Sequence, residues 1–161
     1  MADVTPFAAI RYNWAEISDV IAPPYDVLDK PAKDAMLARD ARNIVGVDLP
    51  YLPPKTVGPD AVYAGAAAVF RAWLFDGTLK KDDQAAIYAY SQTYTVRGRT
   101  FDRRGMIALV RLEPFSTPAT PTGVVPHEKT YAGPIEDRLK LMRATGVQLS
   151  PIFGLFPDDK A

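Results

Sequence analysis

The chain has 161 residues, in which 19 lysines and arginines balance 19 aspartates and glutamates, and it has no cysteine. A length of this order gives one domain as the default, with enough buried apolar surface to fold without a disulfide or a metal. The zero net charge counts against a nucleic-acid binder working through a basic surface, and the cysteine count excludes disulfides and thiolate-held zinc.

The opening residues, Met1 to Pro6, carry neither a basic n-region nor an apolar h-region, so no secretory signal is expected. The segment up to Ala22 reads as a short strand and turn. Pro23-Pro24 then fixes an extended loop through Tyr25-Asp26-Val27, because each proline sets its own φ and biases the residue before it away from helix. Residues 31–40 predict a short helix, with Asp29 or Lys30 at its cap and Pro31 in its first turn. Ile44-Val45-Gly46-Val47-Asp48-Leu49 is strand-like. Residues 59–75 predict the clearest helix, its apolar face formed by Val62, Tyr63, Ala66, Val69, Phe70, Trp73 and Leu74 at a 3.6-residue period. Gly77 suits the left-handed position that ends it. This longest apolar stretch contains Arg71 and falls short of a membrane span.

Residues 86–96 alternate, with Tyr88, Tyr90, Tyr94 and Val96 on one side and Ser91, Thr93 and Thr95 on the other, as in a strand. Arg97-Gly98-Arg99 is a turn, and residues 104–112 form a second strand, giving an antiparallel hairpin. A proline-rich loop spans residues 114–126. A helix follows from Gly133-Pro134 to Thr145, with Ile135, Leu139 and Met142 as its buried stripe and Gly146 as its stop. Residues 152–156 predict a final strand. The fold class is α+β: a mixed or antiparallel sheet with flanking helices. The proline-rich loop divides the chain into an N-terminal α+β domain, residues 1–122, and a helix–strand unit, residues 123–161.

The densest chemistry lies in Pro126-His127-Glu128-Lys129-Thr130, which holds the one histidine of the sequence. A carboxylate beside a histidine can take a proton from a hydroxyl or hold a divalent cation against a phosphate. Lys129 and Thr130 can donate to a phosphate. The helix that follows offers free N–H groups and a partial positive charge at its start. Asp137 lies in that helix beside Arg138, which can grip a phosphate bidentately. The plainer reading makes these residues solvated loop and helix-surface charges. Tyr25 and Asp26, on their rigid prolines, can form a substrate wall, or a turn with Tyr25 packed inward and Asp26 closing it. Arg97, Arg99, Arg103 and Arg104 near the hairpin tip, with tyrosines close by, can touch nucleic acid, or they are a solvated hairpin end. One histidine and no cysteine do not build a three-ligand zinc site. Neither a glycine-rich phosphate loop nor a Gly-x-Ser-x-Gly elbow occurs.

Several segments, in this order, resemble one family. They are Pro23-Pro24-Tyr25-Asp26-Val27, Tyr63 to Gly77-Thr78-Leu79, Tyr88-Ala89-Tyr90, Arg104-Gly105-Met106-Ile107, Pro126-His127-Glu128-Lys129-Thr130, Asp137-Arg138-Leu139 and Ser150-Pro151-Ile152-Phe153. The family is domain-of-unknown-function family 1015, a group of uncharacterised bacterial and archaeal cytoplasmic proteins, and the resemblance runs through essentially the whole chain. Its members are about twice this length or more, with a later Gly-His-His-Arg motif preceded by aspartate that this sequence does not contain. The resemblance therefore implies a fragment or truncated form, inactive by itself, whose residues 123–161 are the first half of a ParB/sulfiredoxin-like unit. That superfamily includes an ADP-dependent free-serine kinase in which a glutamate is the general base. By analogy Glu128 is the base, while His127, Lys129, Thr130, Asp137, Arg138, Tyr25 and Asp26 contact substrate or phosphate.

The reading that results is a cytoplasmic, nucleotide-dependent phosphotransferase acting on a small metabolite. ADP or ATP with magnesium is its implied cofactor, with no metal held by protein ligands alone. Its partners are a small-molecule substrate and a nucleotide, with nucleic acid and membrane disfavoured. The alternative is a non-enzymatic ligand-binding or protein-interaction domain in which the Tyr25–Asp26 loop and the hairpin face a partner.

Overall fold

The computed structural model describes residues 2–127 and 130–156. The fold is α+β, with three two-stranded antiparallel ribbons and four α-helices among those residues. The chain divides into two units, each assembled from separate stretches: Met1–Asn13 with Leu79–Lys129, and Trp14–Thr78 with Thr130–Ala161.

The first unit is β-rich. Strand β1 (Val4–Thr5) pairs with β6 (Leu109–Val110), Val4 standing opposite Val110. Strand β2 (Ile10–Tyr12) pairs with β3 (Leu79–Lys81). The Tyr88 hydroxyl accepts from the Ala9 N–H at 2.9 Å and lies 2.7 Å from an Asp82 oxygen. Asp82 also takes a fork from Arg11, so one tyrosine and one carboxylate tie distant strands together.

Strands β4 (Tyr88–Val96) and β5 (Arg99–Ile107) form the expected hairpin, with Tyr94 opposite Phe101 and Val96 opposite Arg99. Its two-residue turn puts Arg97 at φ 50° and Gly98 at φ 74°. This backbone matches the right-handed twist of paired strands. The second strand begins at Arg99, earlier than the predicted 104, because the turn is tight enough to pair Val96 with Arg99 directly. It also ends earlier: after Ile107 the chain leaves the hairpin and forms β6 beside β1.

The second unit is helical. Helix α1 (Lys30–Arg39) starts as its sequence signals dictate: the Asp29 side chain accepts from the Ala32 N–H at 2.9 Å, and Pro31 sits in the first turn. The Pro-Pro loop runs into a 3₁₀ turn, Tyr25–Val27, instead of continuing extended. Ile44–Leu49 does not form the expected strand; Val45–Asp48 is a short helix, α2. Asn43 explains the difference. Its side-chain oxygen accepts from the Val45 N–H, and its amide donates to the carbonyls of Asp19 and Ile21. Val45, Val47 and Leu49 are all buried, so the stretch lies in the core and leaves no one-sided pattern in the sequence.

Helix α3 (Asp60–Phe75) buries Tyr63, Ala66, Ala67, Phe70 and Trp73. Ala67 takes the place that Val69 and Leu74 were expected to share, and those two are exposed. Gly77 has φ 81°, as its terminating role requires. Helix α4 (Ala132–Thr145) packs on α3 and stops at Gly146, φ 74°. Its buried residues are Asp137 and Leu141, whereas the expected stripe of Ile135, Leu139 and Met142 is exposed. The helix is rotated because its polar Asp137 has a buried partner on α3, described below. Residues 151–156 carry no regular structure where a final strand was expected, and Ile152 and Leu155 are almost wholly exposed. A strand needs a neighbouring ladder for its N–H and C=O groups, and these residues have none among the described residues.

Leu28, Val45 and Leu49 form a core cluster, with Met36, Leu37 and Leu52 packed around it. None of the helices among the described residues is long and apolar enough to cross a membrane.

Candidate functional site

Asp137 and Arg138 are neighbours on α4, so their side chains leave the helix about 100° apart. Asp137 turns toward α3. Its Oδ1 accepts from the Tyr63 hydroxyl at 2.7 Å, and that hydroxyl in turn accepts from the Gly58 N–H at 2.9 Å. Gly58 has no room for a side chain, since a Cβ there would lie 2.7 Å from the ring of Tyr51. The chain approaches Tyr63 closely only because this residue is glycine.

Arg138 lies across the end of α2. Its Nε and Nη2 both donate to Asp137 Oδ2, at 2.9 and 2.5 Å. Its Nη1 donates to the Asp48 carbonyl at 2.7 Å and to Asp48 Oδ1 at 3.1 Å. The Ser150 hydroxyl donates to the same Asp48 oxygen at 3.0 Å. The guanidinium stacks over the Tyr25 ring, 3.8 Å from its centroid. Residues from positions 25 to 150 thus meet around one arginine, in a chain of charge-assisted bonds. The Asp137 carboxylate is nearly inaccessible, with 4% of its side chain exposed, while Arg138 and Asp48 retain 20% and 15%.

This network forms the polar wall of a cleft of about 350 Å³. Tyr25, Asp48, Thr130, Arg138 and Ser150 contribute to the lining. The rest is mainly apolar, from Ile135, Leu139, Met142 and Ile152. The α4 residues that the sequence marks as a buried stripe therefore line an open cleft. Burial pushes the Asp48 carboxyl above the usual carboxylate range, against the opposing pull of Arg138 and Ser150. Burial also raises the Tyr25 phenol, and burial with the bond to Asp137 raises that of Tyr63.

Of the residues singled out from sequence, Tyr25, Thr130, Asp137 and Arg138 are brought together here. Asp26 is exposed and pairs with Lys55 at 3.2 Å. His127 is exposed and lies in irregular chain. Glu128 and Lys129 fall outside the described residues. Asp48 and Tyr63 were not anticipated. Asp48 was detectable as the one acid inside an apolar run, whereas Tyr63 looked like any other member of a helix stripe.

The wall holds two carboxylates to one guanidinium, and most of the N–H groups of Arg138 are committed to them. Such a wall orients polar groups of a ligand whose body fills the apolar side. The described residues contain no group of three or more acidic or histidine side chains that could hold a metal ion.

A family model described as "Protein of unknown function (DUF1015)" matches residues 4–161. No curated protein and no solved structure matches the chain.

Proposed function

We propose, for a chain that belongs to the DUF1015 family, that the Arg138 cleft binds a small metabolite and that the activity it serves is nucleotide-dependent phosphoryl transfer. The observation carrying this reading is convergence. Segments far apart in sequence, around Tyr25, at Asp48 and from Thr130 to Ile152, supply one cleft. A concave, mainly apolar site with a few convergent polar groups is where small molecules bind.

In this reading the apolar side of the cleft holds the body of the metabolite, and Asp48, Ser150 and Thr130 orient its polar groups. Glu128 is the general base on the accepting hydroxyl, a role that rests on its sequence setting between His127 and Lys129. Magnesium would arrive on the nucleotide phosphates, held by one carboxylate at most, since that ion keeps several waters and rarely needs a full protein cage. The relation to a ParB/sulfiredoxin-like unit belongs to the same proposal.

Isothermal titration with ATP and with ADP, each with magnesium, tests it on the full-length protein. Saturable binding, with Glu128→Gln abolishing turnover and leaving the melting temperature unchanged, supports the reading. No binding of either nucleotide overturns it.

One observation favours a second reading. The donors of Arg138 point at Asp137 and Asp48, so the network can shape the cleft without touching a phosphate. The chain would then be a non-enzymatic binding domain. Metabolite binding without nucleotide binding would select it.

A further inference from the structure

Helices α3 and α4 enclose a second groove, of about 400 Å³, in the same unit. Three cations line it: Arg71 from α3, and Lys140 and Arg143 from α4. Lys140 and Arg143 are three positions apart and share a helix face. Ala64 and Ala67 line the same groove, and such small side chains leave space between the cations.

One acid, Asp60, lines the groove with the three cations, and Glu136 on α4 also acts on the Lys140 charge. Asp60 pairs with Lys140 at 2.8 Å, but its side chain is 90% exposed, so the pair is held weakly against solvent. Arg71 and Arg143 have no carboxylate partner among the described residues. The groove lining therefore carries more positive than negative charge, an arrangement that an anion would relieve. This differs from the Arg138 cleft, where two carboxylates already surround the arginine.

We propose that the α3–α4 groove is a binding site for a phosphate-bearing ligand, held by Arg71, Lys140 and Arg143. Charge selects phosphate over carboxylate. A phosphate group carries about −1.5 to −2 charges at neutral pH, so it relieves more of the repulsion among the three cations than one carboxylate does. Arg71, Lys140 and Arg143 do not line the cleft, and the site stands whether or not the cleft serves phosphoryl transfer.

Calorimetric titration with inorganic pyrophosphate at low salt, with acetate as the carboxylate control, tests the assignment. Pyrophosphate is expected to bind more tightly than acetate, and to weaken as salt is raised. The double variant Arg71→Gln/Arg143→Gln removes two exposed side chains and is expected to weaken pyrophosphate by about tenfold or more. Asp60→Asn, which removes the acid of the lining, is expected to tighten it. Ser150→Ala, which alters only the cleft, is expected to change it by less than about twofold. Unchanged affinity in the double variant, equal binding of acetate, or a loss confined to Ser150→Ala would each overturn the groove as the site.

Discussion

The Tyr63 hydroxyl donates to Asp137 across 74 positions of sequence, at 2.7 Å, and so joins helix α3 to helix α4 through a buried carboxylate. Replacing Tyr63 with phenylalanine keeps the ring but leaves Asp137 Oδ1 and the Gly58 N–H without their partner. The expected loss is about 1–3 kcal/mol of stability, the cost of stranding buried polar groups. Urea denaturation of Tyr63→Phe, with an unchanged slope and a lower midpoint, checks it.

Arg138 is the cation on which two acids depend. Arg138→Met keeps much of the volume and the stacking on Tyr25 but removes the charge. Breaking one partner of a buried pair is expected to cost about 3–5 kcal/mol. Adding Asp137→Asn to that variant should recover a substantial part, because the stranded charge is gone. Thermal melts of the single and double variants give the comparison; equal melting temperatures would refute the dependence.

Asp48 makes stability depend on pH in a defined direction. Its carboxyl titrates above the usual range in the folded chain, chiefly through burial. The folded state therefore holds that proton more tightly than the unfolded state, and the gain is complete below the ordinary aspartate pKa. It is lost as pH rises through the raised value. The acids Asp40, Asp60, Asp82 and Asp102 are shifted downward, so they act in the opposite sense. The difference between wild type and Asp48→Asn isolates the Asp48 contribution. Wild type should lose ground relative to the variant as pH rises through the window above the ordinary aspartate value. A flat difference curve there would count against it.

Leu49 is 1% exposed and packs with Leu28 and Val45. Leu49→Ala should open a cavity and cost about 2–5 kcal/mol, as large-to-small core changes do. The midpoint of denaturant unfolding measures this directly.

The hairpin turn invites a change in the other direction. Arg97 occupies a left-handed conformation, φ 50°, that arginine adopts at some cost. Arg97→Asn creates the Asn-Gly pair that such turns favour. A gain of about 0.5–1 kcal/mol is expected, as for other improvements of local fit. Calorimetry of the variant should show a raised melting temperature.

Where local chemistry dictates structure, the sequence was readable. Asp29 and Pro31 announced α1, Gly77 and Gly146 marked helix ends, and the alternation from Tyr88 to Val96 announced the hairpin. Where tertiary contacts decide, it was not. The mainly apolar run from Ile44 to Leu49 suggested a strand, although Val45–Asp48 is helical. The side chain of Asn43 decides otherwise, through bonds to residues 22 and 24 positions away that no local window contains. In α4 the apolar positions promised the buried face, but Asp137 took it because Tyr63 was waiting on α3. The same rotation turned Ile135, Leu139 and Met142 into the lining of a cleft. Tyr25, Thr130 and Arg138 were legible as candidates from their types and surroundings, while Asp48, their shared neighbour, was marked only as the one acid of an apolar run.

The clamp made by Asn43 bears on chemical ageing. Deamidation would replace its amide with a carboxylate of almost the same shape. The bond from the Val45 N–H would survive, while both donors to the carbonyls of Asp19 and Ile21 would become acceptors facing acceptors. At a site 2% exposed, that places an unpaired negative charge in the interior. A lesion of a single mass unit would thus leave the segment from Asp19 to Ile21 tied to the start of α2 through the Ile44 N–H and the Val20 carbonyl, without the two amide hydrogen bonds that now flank that link.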